Sequence, residues 1–131
     1  MNRLSGTIKV IKSHEQMSIC KIEVGQSLCQ VLVIERPETA EYLKEGSDVS
    51  LIFNETQVVL CKEQLTDCSL TNGFRSSIER VEKGTLLTRV FFNVQAFEIR
   101  ALILTEANMD LEVGSTIYAY VRANEIMMAS E

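Results

Sequence analysis

Asn2-Arg3-Leu4-Ser5-Gly6-Thr7-Ile8, at the start of the chain, returns near its middle as Asn72-Gly73-Phe74-Arg75-Ser76-Ser77-Ile78. Outward from this pair the two halves keep step. Ile11 meets Val81, Val31-Leu32-Val33-Ile34 meets Ala101-Leu102-Ile103-Leu104, and Leu43-Lys44-Glu45-Gly46 meets Leu111-Glu112-Val113-Gly114. The closing blocks run from Val49 to Val58 and from Ile117 to Ile126. The offset is 70 positions for the opening blocks and 68 for the closing ones. Its drift falls where turns are expected, and loops absorb length changes that strands do not. The chain thus reads as an internal duplication. One repeat spans 1–62 and the other 69–131, with the polar segment 63–68 as linker.

Each half reads as strands. Cys20, Ile22 and Val24 alternate with Ile19, Lys21 and Glu23, and Val49, Leu51 and Phe53 alternate with Ser50, Ile52 and Asn54. Phe97, Ile99, Ala101 and Ile103, and then Ile117, Ala119 and Val121, repeat the pattern. A period of two with many β-branched residues is the signature of a half-buried strand. Pro37 near the start and Gly46 soon after the end of 37–43 predict a short helical turn there, with a shorter equivalent over 106–111. Gly46 and Gly114 are expected to turn the chain into the next strand. About five short strands and one helical turn in some 60–65 residues suit a small Greek-key barrel. The expected fold is all-β: two tandem OB-like five-stranded Greek-key barrels, each with a short helical turn.

The charge balance, 13 Lys and Arg against 18 Asp and Glu, gives a net charge of −5. That argues against nucleic acid as a partner, since such proteins carry a basic footprint. No apolar run approaches the roughly 18–20 residues that cross a bilayer. The first residues lack the apolar core of a signal peptide, so a cytoplasmic location is expected, with no membrane partner. Cys20, Cys29, Cys61 and Cys68 show no paired spacing of the zinc-binding kind and read as reduced thiols in strands, with no metal. There is no Gly-rich phosphate loop, nucleophile elbow or His-Glu-x-x-His, so no enzyme is expected. His14, in a polar turn, reads as a solvated residue.

The repeat blocks resemble the molybdate-binding TOBE or Mop-type domain of the molbindins. That family opens on Ser-x-Arg-Asn-x-Leu-x-Gly-x-Val/Ile and closes on Lys-Ala-Ser/Thr-x-Val. The second repeat is similar over Ser69-Leu70-Thr71-Asn72-Gly73-Phe74-Arg75-Ser76-Ser77-Ile78 and over Arg122-Ala123-Asn124-Glu125-Ile126. The first keeps Asn2, Leu4, Gly6 and Ile8, and closes on Asn54-Glu55-Thr56-Gln57-Val58. The resemblance spans nearly the whole chain as a tandem pair, a di-Mop. It implies cytosolic binding of molybdate or tungstate for storage, homeostasis or sensing, without catalysis. It also implies a homo-oligomer, with a trimer favoured, and a molybdate or tungstate transporter as a further partner.

The departures fall on the ligand-binding positions and on the motif glycine, which is Gly6 in the first repeat and Ser76 in the second. The family lysine is Asn54 in one repeat and Arg122 in the other; the family arginine is Thr71. A tetrahedral dianion needs donors from several directions, and charge-assisted bonds are the strong ones. Arg122 offers a planar fork of donors. Ser69, Thr71 and Asn124 offer neutral donors, and Asn54 with Thr56 an uncharged site flanked by Glu55. These six residues are the expected oxyanion ligands. A competing reading takes the substitutions at Asn54 and Thr71 as loss of the ligand, leaving an oligomeric scaffold or a transporter-associated regulatory module. A third takes Tyr118 and Tyr120, on one strand face, as a stacking platform for single-stranded nucleic acid; the acidic charge disfavours it, and packing at a subunit contact is the expectation for both rings.

Overall fold

The computed structural model describes residues 1–131. Its strands are β1 (Asn2–His14), β2 (Met17–Val24), β3 (Ser27–Val33), β4 (Asp48–Phe53), β5 (Val59–Cys61), β6 (Asn72–Lys83), β7 (Leu87–Val94), β8 (Phe97–Leu104), β9 (Thr116–Val121) and β10 (Met127–Ser130). They form two five-stranded antiparallel sheets, ordered β10-β4-β1-β2-β3 and β5-β9-β6-β7-β8. The all-β reading with two OB-like five-stranded units therefore holds.

The duplication is visible in detail. β1 pairs with β4 through Asn2–Thr7 and with β2 through Thr7–His14, and the register slips between Ile8 and Val10. β6 does the same with β9 and β7, slipping between Ile78 and Arg80. A bulge bends a strand and sharpens its twist. Here it lets one long strand serve both sides of its barrel. Beside each bulge sits the expected glycine, Gly46 with φ of 89° and Gly114 with φ of 90°. Each donates its N–H to the bulge residue's carbonyl, Gly46 to Ile8 at 2.8 Å and Gly114 to Ile78 at 2.7 Å. Left-handed backbone of this kind is natural to glycine.

Of the two expected helical turns, the one over 37–43 is absent and the one over 106–111 is met in part by a 3-10 turn. Short 3-10 turns occur at Glu55–Gln57, Thr105–Ala107 and Ala123–Glu125. Segment 37–43 is a run of turns instead. Thr39 diverts it: its hydroxyl donates to the Arg36 carbonyl at 3.1 Å and accepts from the Arg36 N–H at 3.2 Å. Such local side-chain bonds compete with helix.

Pairing does not respect the sequence repeats. β5, the last strand of the first repeat, pairs with β9 of the second through Val59↔Tyr120, Leu60↔Ala119 and Cys61↔Tyr118. β10, the last strand of the chain, pairs with β4 of the first repeat. Each barrel thus takes its fifth strand from the other repeat. The crossing segments carry Val58, Leu60 and Ile126 into one hydrophobic cluster with residues of both repeats. Each such side chain contributes about 1.5–3 kcal/mol on burial.

Two buried asparagines close the seam. Asn2 Nδ2 donates to the Arg100 carbonyl at 2.8 Å and its Oδ1 accepts from the Arg100 N–H at 2.9 Å. Asn72 makes the same pair of bonds with Gln30, both at 2.7 Å. The two clamps are equivalent in the repeat, and each reaches the third strand of the opposite sheet.

The thiols divide by place. Cys20 in β2 and Cys29 in β3 are buried, and burial pushes them up to about 11 and about 12. Cys61 in β5 is half-buried, and its thiol is raised by burial and then by nearby Cys68. Cys68 departs from the strand expectation: it lies exposed in the segment before β6.

Two measurements follow. Asn2→Ala or Asn72→Ala should each cost about 1–3 kcal/mol, because a backbone N–H and a C=O lose their partners. Asn72→Asp should cost more than Asn72→Ala, since a carboxylate cannot donate to the Gln30 carbonyl. Urea unfolding of the single variants checks both. Alkylation of the native protein near pH 8 should label Cys68 first and leave Cys20 and Cys29 unmodified until unfolding, read by mass spectrometry.

Candidate functional site

The ladders bring the opening and closing blocks of each repeat together. In the second repeat the β6–β9 ladder ends at Asn72↔Val121, so Thr71 and Arg122 stand one step beyond its last pair. In the first, the β1–β4 ladder ends at Asn2↔Phe53, which places Met1 beside Asn54. Immediately after each end the chain makes a 3-10 turn that crosses the seam. Glu55–Gln57 packs on β8 and Ala123–Glu125 packs on β3.

The two ends differ in chemistry. Asn54 caps its turn: its Oδ1 accepts from the Thr56 N–H at 3.1 Å and the Thr56 hydroxyl at 3.2 Å, and its own N–H donates to Gln57 Oε1 at 2.8 Å. The hydroxyl of Thr56 is therefore already used. Glu55, the carboxylate flanking that pair, is mostly buried and accepts from Arg89 Nε at 2.8 Å. Its charge is met by a guanidinium from the other repeat, a residue that no feature of the linear sequence singled out.

Arg122 caps the last turn through its backbone alone, and its side chain makes no capping bond. Its Nε lies 3.3 Å from Glu125 Oε1 while 60% of the side chain stays exposed. An exposed pair of this kind contributes little, so the guanidinium remains available. Asn124 is exposed on the same turn, and Ser69 and Thr71 are exposed on the segment leading into β6. Thr71 alone of the six expected ligands also lines a cavity, one formed with Gln64, Leu65, Leu70, Gly73, Arg75, Tyr118 and Tyr120. Arg122, Asn124, Asn54, Thr56 and Ser69 line none of the cavities found.

Tyr120 departs from the subunit-contact expectation, being covered within its own chain. The linker folds back over β9, the Leu65 N–H donates to the Tyr120 hydroxyl at 2.8 Å, and only 5% of Tyr120 stays exposed. His14 is exposed, with Glu15 Oε1 3.7 Å from its Nε2.

With this geometry in hand, known structures supply a comparison. The chain superposes with a TM-score of 0.87 on a crystal structure of the cytoplasmic molybdate-binding protein ModG with molybdate bound. The match covers 99% of this chain and 96% of that one, at 20% identity. The likeness establishes the fold. No family model and no curated protein matches the sequence. Nor is any helix long and apolar enough to cross a membrane.

Proposed function

We propose that this chain binds molybdate or tungstate without catalysis, in the cytoplasm, for storage, homeostasis or sensing. The observation that carries the reading is Arg122. It stands at the end of the β6–β9 ladder, beside Thr71, on a fold shared with a protein described as molybdate-binding. Its guanidinium supplies the charged fork, Thr71 and Ser69 their hydroxyls, and Asn124 its amide, around one tetrahedral dianion. Asn54 and Thr56 form the weaker counterpart, with their oxygens engaged in the capping turn.

The proposed ligands lie on the surface, and of them only Thr71 borders a cavity. Enclosing an oxyanion there requires a second copy laid over the ladder end, so the reading carries a homo-oligomer with it, a trimer by family resemblance. A net charge of −5 does not oppose this, because salt screens distant charges beyond about 8–10 Å. A molybdate or tungstate transporter would be the source of the ligand.

One specific observation favours the alternative of an oligomeric scaffold that has lost the ligand: the closing turn of the first repeat already engages its polar groups, Thr56 with Asn54. Isothermal titration with molybdate, tungstate and sulfate separates the readings. We expect heat with the metal oxyanions, none with sulfate, and a loss of roughly tenfold or more in affinity for Arg122→Ala, the scale of one charged hydrogen bond. No heat with either metal oxyanion, together with an oligomer unchanged by ligand, would establish the scaffold instead.

A further inference from the structure

The linker that folds over the second barrel roofs a cleft of about 400 Å³ against the outer face of β6 and β9. Ladder pairing places Arg75 beside Tyr118 and Gly73 beside Tyr120 on its floor. Gly73 makes the floor possible: a Cβ there would meet the Tyr120 ring at 2.6 Å. Thr71 and Gln64 complete a polar rim, and no carboxylate lines the cleft. Arg36, Arg80, Arg89, Arg100 and Arg122 each hold a carboxylate within 2.8–3.4 Å, but Arg75 holds none.

The duplication shows what this face can hold. The first-repeat counterparts of Arg75 and Tyr118 are Ser5 and Ser50, paired in the same way across β1 and β4. There the two hydroxyls donate to one carboxylate oxygen, Glu131 Oε1, at 2.6 and 3.0 Å. Those bonds, with Arg3 nearby, hold the Glu131 carboxyl below its ordinary range. The residue in the place of Glu131 on the second barrel is Glu63, which is exposed and lines no part of the cleft. One barrel fills this face with its own carboxylate; the other presents an unpaired guanidinium and two phenol rings in its place.

We propose that the cleft is a second ligand site, for a small organic carboxylate whose charge meets Arg75 and whose body lies along Tyr118 and Tyr120. A guanidinium and a carboxylate match as paired donors and acceptors. The rings give a planar ligand an apolar flank. The volume falls within the roughly 300–1,000 Å³ of small-molecule sites, larger than a tetrahedral oxyanion needs. The two sites adjoin at Thr71, but the cation differs, Arg75 here and Arg122 there.

Amide-resolved NMR titration of the full chain with benzoate, and with benzyl alcohol as the neutral control, tests the assignment. Benzoate should shift the amides of Leu65, Gly73, Tyr118 and Tyr120, and benzyl alcohol should bind roughly tenfold more weakly or worse. Arg75→Ser, which installs the residue the first repeat already uses, should remove the benzoate shifts while leaving molybdate heats unchanged. Arg122→Ala should do the reverse, so that failure of this site and failure of the oxyanion reading give different results. Absent shifts at those amides, equal binding of the alcohol, benzoate shifts that survive Arg75→Ser, or displacement of benzoate by molybdate would each overturn the proposal.

Discussion

Two asparagine side chains stand in for peptide groups. Asn2 and Asn72 each give one donor and one acceptor to a single residue, Arg100 or Gln30, as an antiparallel neighbour would in a hydrogen-bonded pair. The strands they reach, β8 and β3, are the outermost of their sheets. An edge strand leaves its N–H and C=O groups unsatisfied, so each clamp satisfies one residue of an edge and joins the barrels at once. Both asparagines begin a ladder whose end carries a closing turn. The positions of Asn54 and Arg122 against the opposite barrel follow from these clamps.

The duplicated frame leaves each pair of equivalent sites free to diverge. Arg122 marks one ladder end; at the other, Asn54 caps its own turn and Arg89 answers Glu55 from across the seam. Ser5 and Ser50 hold a carboxylate on one outer face, where Arg75 and Tyr118 leave a cleft on the other. Strand pairing is common to both halves, down to the bulges beside Gly46 and Gly114. At these equivalent positions the difference resides in side chains.

The duplication, the alternating strands and the two glycine turns were legible because each depends on local pattern. Cys20, Ile22 and Val24 point inward whatever their strand pairs with. The exchange of β5 and β10 was not legible, since a short strand carries the same alternation whichever sheet receives it. The helical turn over 37–43 failed for a local reason, the Thr39 hydroxyl competing for the Arg36 backbone. At the candidate site, Thr71 and Arg122 could be placed together because they flank the duplicated blocks. Arg89 could not, because its partner Glu55 lies in the other repeat and only the fold brings them to 2.8 Å. Arg75 and the roofed cleft were equally hidden, for they exist only once the linker has folded back onto Tyr120.

Strand exchange also orders events during synthesis. The amino-terminal barrel draws β10 from the last few residues of the chain, next to β4 through Met127↔Ile52 and Ser130↔Val49. β10 is made only after the rest of the second repeat, so the first half emerges from the ribosome with the side of β4 away from β1 unpaired. An open edge of that kind is a template for another nascent chain. Closure must therefore wait until the second repeat has emerged, and contacts of such long sequence separation are slow to form.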